Sequence, residues 1–394
     1  MLSLLAALVV SCADSERAAV PDKPTASLAG ILPPTVTPTP PSNEFAIIGQ
    51  PEPFLLEDLS LVGINEWINS EPLDVSQLAI EKKLVLLDFW TYTCVNCVRT
   101  FPYLTAWHDA YAESGLVIIG VHSPEFDFEK SAENIQNAVE RFGIEYPVAV
   151  DSEKMTWDKY GNHFWPSKYL ITAEPNGESS VVLRHFGEGG YQEFESAIRT
   201  ELERLGHSID GLRALIPNSP QRSENAHTIT RELYGGYSKG YLAHGLYAGQ
   251  DDYYLAPDTT VHYVDKGTRR HGQFFLDGGW INTEDALVSG KTSGEEAARF
   301  SFDFFATSVN SVLGSDHGLS SLIVEIDGKP LTRGQAGSDI AWNENGTSIV
   351  EVDEARLYQL VELPEFGKHE LVLKTNSEGL AIYTVTFGVN DFGP

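Results

Sequence analysis

Two of the chain's three cysteines, Cys94 and Cys97, form a C-x-x-C motif within the segment FWTYTCVNCVRTFP. Two cysteines at that spacing can form a redox-active pair, provide half of the ligands of a zinc site or form a short structural disulfide. A structural zinc site usually needs a second Cys or His pair, and His108 and His122 do not have the required spacing. A disulfide across two residues closes a loop too small to stabilise a fold much. We therefore favour redox exchange and predict no metal site.

The residues around this pair indicate how it would react. The apolar run Leu84 to Trp90 is typical of a buried parallel strand, and a helix is predicted to follow it. Cys94 would then lie at the helix N-terminus, where free N–H groups and the helix dipole stabilise a thiolate. Cys97, one turn later, would attack the mixed disulfide and release the partner. Asp88 has apolar residues on both sides, so we expect it to be buried, with a raised pKa.

The pattern on either side of the motif predicts an α/β domain from residue 44 to residue 212. Strands are predicted at 84–90, 116–121, 146–150, 168–172 and 181–185. Helices are predicted from the cysteines to about residue 115, at 125–142 and at 194–205. Alternating strands and helices, followed by a hairpin and a last helix, favour a mixed central sheet flanked by helices.

The second half of the chain has a different periodicity. Residues 213–226 are predicted to be a linker. From residue 227 to residue 394 apolar and polar residues alternate, as at Phe300, Phe302 and Phe304. Many short alternating segments separated by turn residues predict an all-β sandwich of jelly-roll type. The aromatic residues of this half could stack on a sugar or fill the core of the sandwich.

The N-terminal residues predict export. The apolar run from Leu2 to Val10 is too short to span a bilayer, and the residues before Cys12 resemble a bacterial lipobox. We interpret residues 1–12 as a signal segment with Cys12 as the lipidated residue, although the basic residues of a signal peptide are missing. A start placed inside a longer segment is the alternative. Residues 13–43 are rich in Pro and Thr and predict a disordered tether. Together they predict an extracytoplasmic, membrane-anchored lipoprotein.

The charge of the chain excludes one class of partner. The formal net charge is −29, from 27 basic and 56 acidic residues. A protein that binds duplex nucleic acid needs a basic face, so no nucleic-acid partner is expected.

The segment LLDFWTYTCVNC resembles the active-site strand and turn of the thioredoxin superfamily. The resemblance implies that Asp88 relays the proton of the second cysteine, and that Trp90 lies beside the site and helps to bind substrate. It also implies that Pro102 kinks the active-site helix. Trp165 and Pro166 match the loop of the family's cis-proline, which pairs with a bound peptide. Val and Asn between the cysteines differ from the Gly and Pro of cytosolic thioredoxin, which leaves the redox potential open.

Further segments narrow this resemblance to the extracytoplasmic part of DipZ-type proteins. They are GVHSPEF (120–126), residues 146–171 and HFGEGGY (185–191). DipZ-type proteins join a CcdA-like membrane domain to a redoxin domain of the TlpA type and a sandwich that resembles a carbohydrate-binding module. Within GVHSPEF, His122 and Glu125 would tune the thiolate or receive the partner, or they only cap a loop.

The resemblance also implies partners. The redox-active Cys94–Cys97 disulfide would need no cofactor. Substrates would be protein disulfides of the cell envelope, with apocytochrome c as one candidate. A separate CcdA-like membrane protein would supply electrons, or the start of the chain is truncated. The sandwich would have a glycan as a candidate ligand. Reductase activity is favoured over oxidase activity.

Two other functions remain open. The first is a thiol peroxidase of the peroxiredoxin type, which carries a threonine and a proline before its reactive cysteine. Thr91 fits that pattern, but Leu87 stands where the proline is expected. The second is a non-catalytic envelope protein whose sandwich binds a glycan or a partner.

Overall fold

The computed structural model describes residues 58–174, 178–215, 229–240, 246–291 and 297–389. The predictions for Cys12, the signal segment 1–12 and the tether 13–43 lie outside these residues. So does most of the predicted linker 213–226. We call residues 58–215 the α/β region and residues 229–389 the C-terminal β region.

The α/β region is built around a mixed sheet. Its elements are β1 (Glu66–Ile68), α1 (Val75–Ile80), β2 (Leu84–Trp90), α2 (Val95–Tyr111), β3 (Leu116–His122), a 3-10 helix (Asp127–Lys130), α3 (Ala132–Arg141), β4 (Val148–Val150), α4 (Met155–Lys159), β5 (Ser167–Ala173), β6 (Ser179–Phe186) and α5 (Tyr191–Leu205). Among the described residues, the strand order is β1-β4-β3-β2-β5-β6. Strands β2, β3 and β4 are parallel, whereas β1, β5 and β6 pair antiparallel with their neighbours. The predicted mixed sheet is confirmed.

Strand β2 is buried on both faces, and its alternating residues belong to two cores. Leu84 and Leu86 pack in one core with residues of α2, α3 and α5. Val85 and Leu87 pack in the other with residues of α1 and α4. Because side chains alternate along a strand, Asp88 points to the same face as Leu86, which is the face covered by α2.

The structure corrects several predicted boundaries. The helix predicted at 125–142 is divided into the 3-10 helix and α3, because Ser131 caps α3 by accepting a hydrogen bond from the N–H of Asn134. The helix after the cysteines ends at Tyr111, short of residue 115, and it continues through Pro102. Strand β1 and helices α1 and α4 were not predicted at all.

The C-terminal β region is almost entirely antiparallel. Its elements are β7 (Leu233–Tyr234), α6 (Tyr237–Gly240), α7 (Asp252–Leu255), β8 (Thr260–Tyr263), β9 (Phe274–Asn282), β10 (Leu287–Ser289), β11 (Ala298–Ser315), β12 (Ser320–Ile326), β13 (Lys329–Pro330), β14 (Ala341–Trp342), β15 (Ser348–Val352), β16 (Arg356–Thr375) and β17 (Leu380–Gly388). The first part of β11 pairs with β9 and the second part with β17, while β16 runs along its other edge. The predicted all-β region is confirmed.

The core of the C-terminal β region is rich in aromatic side chains. Phe300, Phe302 and Phe304 are buried in it, as the alternation in the sequence predicts. Trp280 and Tyr253 are also completely buried. These rings therefore fill the core rather than face a sugar.

The two regions touch through side-chain contacts on both sides of the cysteine motif. The rings of Phe126 and Phe128 pack against Tyr383, with centroids 5.2 and 4.8 Å apart. Arg99 donates a hydrogen bond to Ser308 at 3.4 Å, and Arg141 forms an ion pair with Glu354 at 2.6 Å. Among the residues that the structure describes, no helix is both long and apolar enough to cross a membrane.

Candidate active site

Cys94 is the N-cap residue of α2 and is partly exposed. Its backbone is extended, with φ −75° and ψ 110°, and its Sγ accepts a hydrogen bond from the N–H of Cys97 at 3.3 Å. The N–H of Val98 donates to the carbonyl of Cys94 at 3.0 Å and closes the first turn of the helix. A sulfur in this position is offered the free N–H groups of the helix start, as the sequence predicted.

Cys97 lies one turn into α2 and is completely buried. Burial raises the pKa of its thiol well above the ordinary value, and the neighbouring Cys94 and the charge of Asp88 raise it further. Both cysteines are free thiols in this structure. The buried thiol therefore needs a base before its sulfur can attack a disulfide.

Asp88 is completely buried near the end of β2. Burial raises the pKa of its carboxyl group to about 7, and the charge of Lys168 opposes that shift. Neither carboxylate oxygen has a hydrogen-bond partner among the described residues. A carboxyl group that titrates near neutral pH beside a buried thiol can exchange a proton with it.

Lys168 was not among the predicted site residues. It is the partner of Asp88 in the register of β5 against β2, and it is completely buried. Its Nζ has no hydrogen-bond partner within the described ranges. Burial lowers the pKa of Lys168, whereas the charges of Asp88 and Cys97 raise it. The available sequence signal was a lysine inside a predicted strand, two residues after Pro166.

The peptide bond between Trp165 and Pro166 is cis, which confirms that part of the prediction. The carbonyl of Pro166 accepts a hydrogen bond from the N–H of Gly187 at 2.8 Å. The indole Nε1 of Trp165 donates to the carbonyl of Ser123 at 2.9 Å. The side chain of Trp165 is partly exposed, so it remains available to a substrate.

Trp90 and His122, which were predicted to bind substrate, are completely buried. The ring of His122 stacks on Tyr92 with centroids 5.5 Å apart and meets Trp90 edge-on at 4.9 Å. Burial lowers the pKa of His122 to about 3, so the imidazole is neutral at physiological pH. Both rings lie inside the fold and neither faces solvent, which contradicts direct contact with a substrate. A role of His122 in tuning the thiolate stays a prediction.

Glu125 was predicted to tune the thiolate, to receive the partner or to cap a loop. Its Oε1 accepts hydrogen bonds from the hydroxyl of Tyr234 at 3.0 Å and from Nζ of Lys239 at 3.1 Å. Only 10% of its side chain is exposed. The carboxylate is therefore engaged by the C-terminal β region instead of being free to receive a partner.

Glu129 is a buried carboxylate that the sequence analysis missed. Its Oε1 accepts a hydrogen bond from the hydroxyl of Thr93 at 2.5 Å. Its Oε2 accepts from the N–H groups of Glu125 at 2.6 Å and Phe126 at 3.0 Å. Burial raises the pKa of Glu129, and the hydrogen bonds from the threonines oppose that shift. Glu129 thus joins the residue before Cys94 to the loop after β3.

Metal binding has no support in the described part of the chain, where no three His, Cys, Asp or Glu side chains are grouped to hold an ion. The prediction that the site works without a metal or cofactor stays a prediction.

Comparisons with known proteins match both regions. Residues 63–176 match the AhpC/TSA family, and residues 230–388 match the family described as a thioredoxin-like C-terminal domain. The chain is 31% identical to the protein DipZ of Mycobacterium tuberculosis over 339 residues, which is 83% of this chain and 42% of DipZ. The chain therefore spans about two fifths of the length of that curated relative.

A shorter relative matches the α/β region. The thiol-disulfide oxidoreductase ResA of Halalkalibacterium halodurans is 30% identical over 151 residues, which is 38% of this chain and 74% of ResA. Among solved structures, StoA of Bacillus subtilis is 18% identical and has a TM-score of 0.25. That match covers 29% of this chain and 80% of StoA.

Proposed function

This chain belongs to the thioredoxin superfamily of thiol–disulfide oxidoreductases, and on that premise we propose that it reduces protein disulfides outside the cytoplasm. One observation carries the proposal. The partly exposed Cys94 caps α2, while Cys97 and the carboxyl group of Asp88 are buried behind it. That arrangement provides a nucleophile, a resolving thiol and a base.

The reaction begins at Cys94. Its thiolate attacks one sulfur of a substrate disulfide, the substrate S–S bond breaks, and a mixed disulfide forms between Cys94 and the substrate. The departing substrate sulfur takes up a proton from solvent. The N–H of Cys97, which donates to Cys94 Sγ in the free protein, stabilises the thiolate before the attack.

The second step resolves the mixed disulfide. The ionised carboxyl group of Asp88 takes the proton of Cys97, and the resulting thiolate attacks the sulfur of Cys94. The second substrate sulfur leaves as a thiolate and is protonated. Two electrons pass from the cysteine pair to the substrate, and a Cys94–Cys97 disulfide remains.

Substrate docking is assigned to Trp165 and Pro166. The partly exposed side chain of Trp165, next to the buried Pro166, supports this proposal. Backbone groups next to Pro166 would pair with an extended segment of the substrate chain, as a strand adds to a sheet edge.

The sequence and the relatives support a proposed cellular location and proposed partners for this chain. The lipobox-like Cys12 and the Pro-rich tether support a membrane-anchored lipoprotein of the cell envelope. The resemblance to DipZ-type proteins, with which the chain shares 31% identity, supports a CcdA-like membrane domain as the donor that reduces the Cys94–Cys97 disulfide. Similarity to the thiol-disulfide oxidoreductase ResA supports disulfides as substrates. That these are oxidised envelope proteins, with apocytochrome c as one candidate, rests on the family resemblance. A glycan ligand of the C-terminal β region stays a prediction, which glycan-array binding that survives Cys94→Ser would support.

Trapping tests the function directly. The Cys97→Ser variant cannot resolve the mixed disulfide, so it should accumulate adducts with envelope proteins through Cys94. The Cys94→Ser variant is the matched control and should form none. If Cys97→Ser forms no adduct and the wild-type protein does not exchange with small disulfides, the proposal is wrong.

A thiol peroxidase is the second candidate, because residues 63–176 match the AhpC/TSA family. Peroxide would oxidise Cys94, and Cys97 would condense with the product and release water. Consumption of hydrogen peroxide faster than exchange with protein disulfides would favour this alternative.

A further inference from the structure

The loop of residues 123–128 connects three parts of the molecule. At its start, the carbonyl of Ser123 accepts the hydrogen bond from Trp165, the residue before the cis-proline. In its middle, the N–H groups of Glu125 and Phe126 donate to Glu129. On its outer side, Glu125, Phe126 and Phe128 contact the C-terminal β region. We call residues 123–128 the bridging loop.

Glu129 connects the bridging loop to the cysteine motif. One carboxylate oxygen accepts from both N–H groups of the loop, and the other accepts from the hydroxyl of Thr93. Thr93 immediately precedes Cys94, whose position as N-cap decides how well its sulfur meets the N–H of Cys97. A displacement of Glu129 would therefore change the environment of the Cys94 sulfur.

The C-terminal β region holds the other side of the bridging loop. The hydroxyl of Tyr234 lies 3.0 Å from Oε1 of Glu125 and 3.0 Å from Oε2 of Glu232. Since a hydroxyl has one proton, it can donate to only one of these groups at a time. Glu232 is completely buried, and burial and the charge of Glu125 raise its pKa to about 7. A protonated Glu232 can donate to Tyr234, which leaves the tyrosine proton for Glu125.

Lys239 adds a second contact to Glu125. Its Nζ donates to the carboxylate and to the backbone carbonyl of Glu125, both at 3.1 Å. The same ammonium group lies 4.9 Å from the centroid of the Phe126 ring. On its outer side the bridging loop is thus held by an ion pair, hydrogen bonds and ring contacts from the C-terminal β region.

We propose that the C-terminal β region sets the reactivity of the cysteine pair, with Tyr234 and Lys239 acting through Glu125 and Glu129 as positioning residues. This inference rests on the proposed function, because it concerns the same two thiols. The contacts run in an unbroken series: Tyr234 and Lys239 to Glu125, the N–H of Glu125 to Glu129, and Glu129 to Thr93, next to Cys94. The C-terminal β region is then part of the redox machinery in addition to any ligand that it binds.

Conservative variants test this series in the full chain. Tyr234→Phe removes one hydroxyl, Lys239→Met removes one charge, and Glu129→Gln keeps the shape of the carboxylate. Tyr237→Phe is the matched control, since its hydroxyl donates to Asp258, which belongs to the C-terminal β region itself. The readouts are the rate of alkylation of Cys94 by iodoacetamide at neutral pH and the reduction potential of the cysteine pair.

We expect Tyr234→Phe, Lys239→Met and Glu129→Gln each to slow alkylation by about 2- to 30-fold and to shift the potential. Tyr237→Phe should match the wild type. The double variant Tyr234→Phe/Glu129→Gln should be no slower than Glu129→Gln alone, because both changes interrupt one series of contacts. Wild-type rates for Tyr234→Phe and Lys239→Met, or additive effects in the double variant, would overturn the proposal.

These readouts remain informative if the proposed function fails. Alkylation and potential are properties of the thiols, so they can be measured even in a protein that reduces no protein disulfide. Urea denaturation of each variant separates a local effect from a loss of folding. A slower alkylation rate with an unchanged free energy of unfolding supports positioning, whereas a slower rate only in variants that have lost stability contradicts it.

Discussion

Burial raises the pKa of Asp88 to about 7, although the ammonium group of Lys168 opposes the shift. The two side chains face each other across β2 and β5 without a hydrogen bond to any described residue. A buried acid of this kind is protonated below its pKa and becomes a base above it. Resolution by Cys97 should therefore accelerate as the pH rises through about 7, because the ionised form of Asp88 accepts the proton.

Replacement of Asp88 should remove this pH dependence. In Asp88→Asn, we expect the rate of resolution of a mixed disulfide to fall by about 10²-fold at neutral pH, since general-base assistance is lost. The inflection near pH 7 in the wild-type plot of resolution rate against pH should disappear as well. Release of a labelled peptide from its mixed disulfide, followed over a range of pH, measures both effects. An inflection that persists in Asp88→Asn would assign the base to another group.

Replacement of Lys168 should move the inflection instead of removing it. The positive charge of Lys168 lowers the pKa of Asp88, so Lys168→Met should raise that pKa and shift the inflection to higher pH. Lys159→Met is the control, because Lys159, the last residue of α4, pairs with Asp58 at 2.8 Å and not with Asp88. The same peptide-release assay applies. If the inflection moves equally in both variants, or in neither, Lys168 does not tune Asp88.

At the scale of elements, Asp151 ties the end of β3 to the start of α4. Its carboxylate accepts hydrogen bonds from the hydroxyl of Ser123 at 3.0 Å and from the N–H groups of Thr156 at 3.0 Å and Trp157 at 2.9 Å. The same contacts anchor the first residue of the bridging loop. Helix α4 has only five residues, so its stability depends on such contacts.

Loss of Asp151 should therefore destabilise the α/β region. In Asp151→Ala, two backbone N–H groups and one hydroxyl lose their partner, and we expect the free energy of unfolding to fall by about 3 kcal/mol. Asp158→Ala changes an exposed residue of α4 and should leave it nearly unchanged. Urea denaturation of both variants measures the difference. Equal stability of the two variants would show that water satisfies the freed groups.

The elements that were predicted correctly are those with a strong local signal. Strand β2 was predicted with its exact limits, because a seven-residue apolar run after a polar segment has few other interpretations. Strand β1 and helix α4 have three and five residues, and β1 exists through its pairing with β4. Short elements that depend on a distant partner leave little periodicity in the sequence.

The residues of the candidate site also fall into those with a local sequence signal and those without one. The position of Cys94 at the start of α2 and the burial of Asp88 were predicted from neighbouring residues along the chain. Their roles in the reaction stay predictions. Lys168 and Glu129 were missed, because the burial of a charged side chain depends on what lies across the sheet or under the next loop. Tertiary contacts likewise bury Trp90 and His122. They also supply the hydrogen bonds that Tyr234 and Lys239 donate to Glu125. No pattern of period two or 3.6 encodes them.

At the scale of the whole molecule, acidic residues outnumber basic ones by 56 to 27, which gives a net charge of −29. Repulsion between like charges disfavours a compact state, and salt screens it. The ion pairs between the regions, such as Arg141 with Glu354, are partly exposed and contribute little when screened. The net effect of salt should therefore be stabilising.

Thermal denaturation in sodium chloride checks this expectation. Between about 0.01 M and 0.15 M the Debye length falls from about 30 Å to about 8 Å, so we expect the unfolding midpoint to rise over this range. Chloride is preferred to sulfate, which also strengthens the burial of apolar surface. A midpoint that falls with added chloride would mean that attractive ion pairs outweigh the repulsion.

The unequal exposure of the two sulfurs also bears on how the protein survives oxidative damage. A hydrogen peroxide molecule meets Cys94 first, because Cys97 is completely buried. The sulfenic acid that forms on Cys94 can condense with the adjacent thiol of Cys97, which gives a disulfide and releases water. A disulfide can be reduced again, whereas further oxidation to sulfinic acid is in general irreversible. Oxidation by peroxide would then produce the same Cys94–Cys97 disulfide that the reaction cycle produces. The electron donor of that cycle would reduce it back to two thiols.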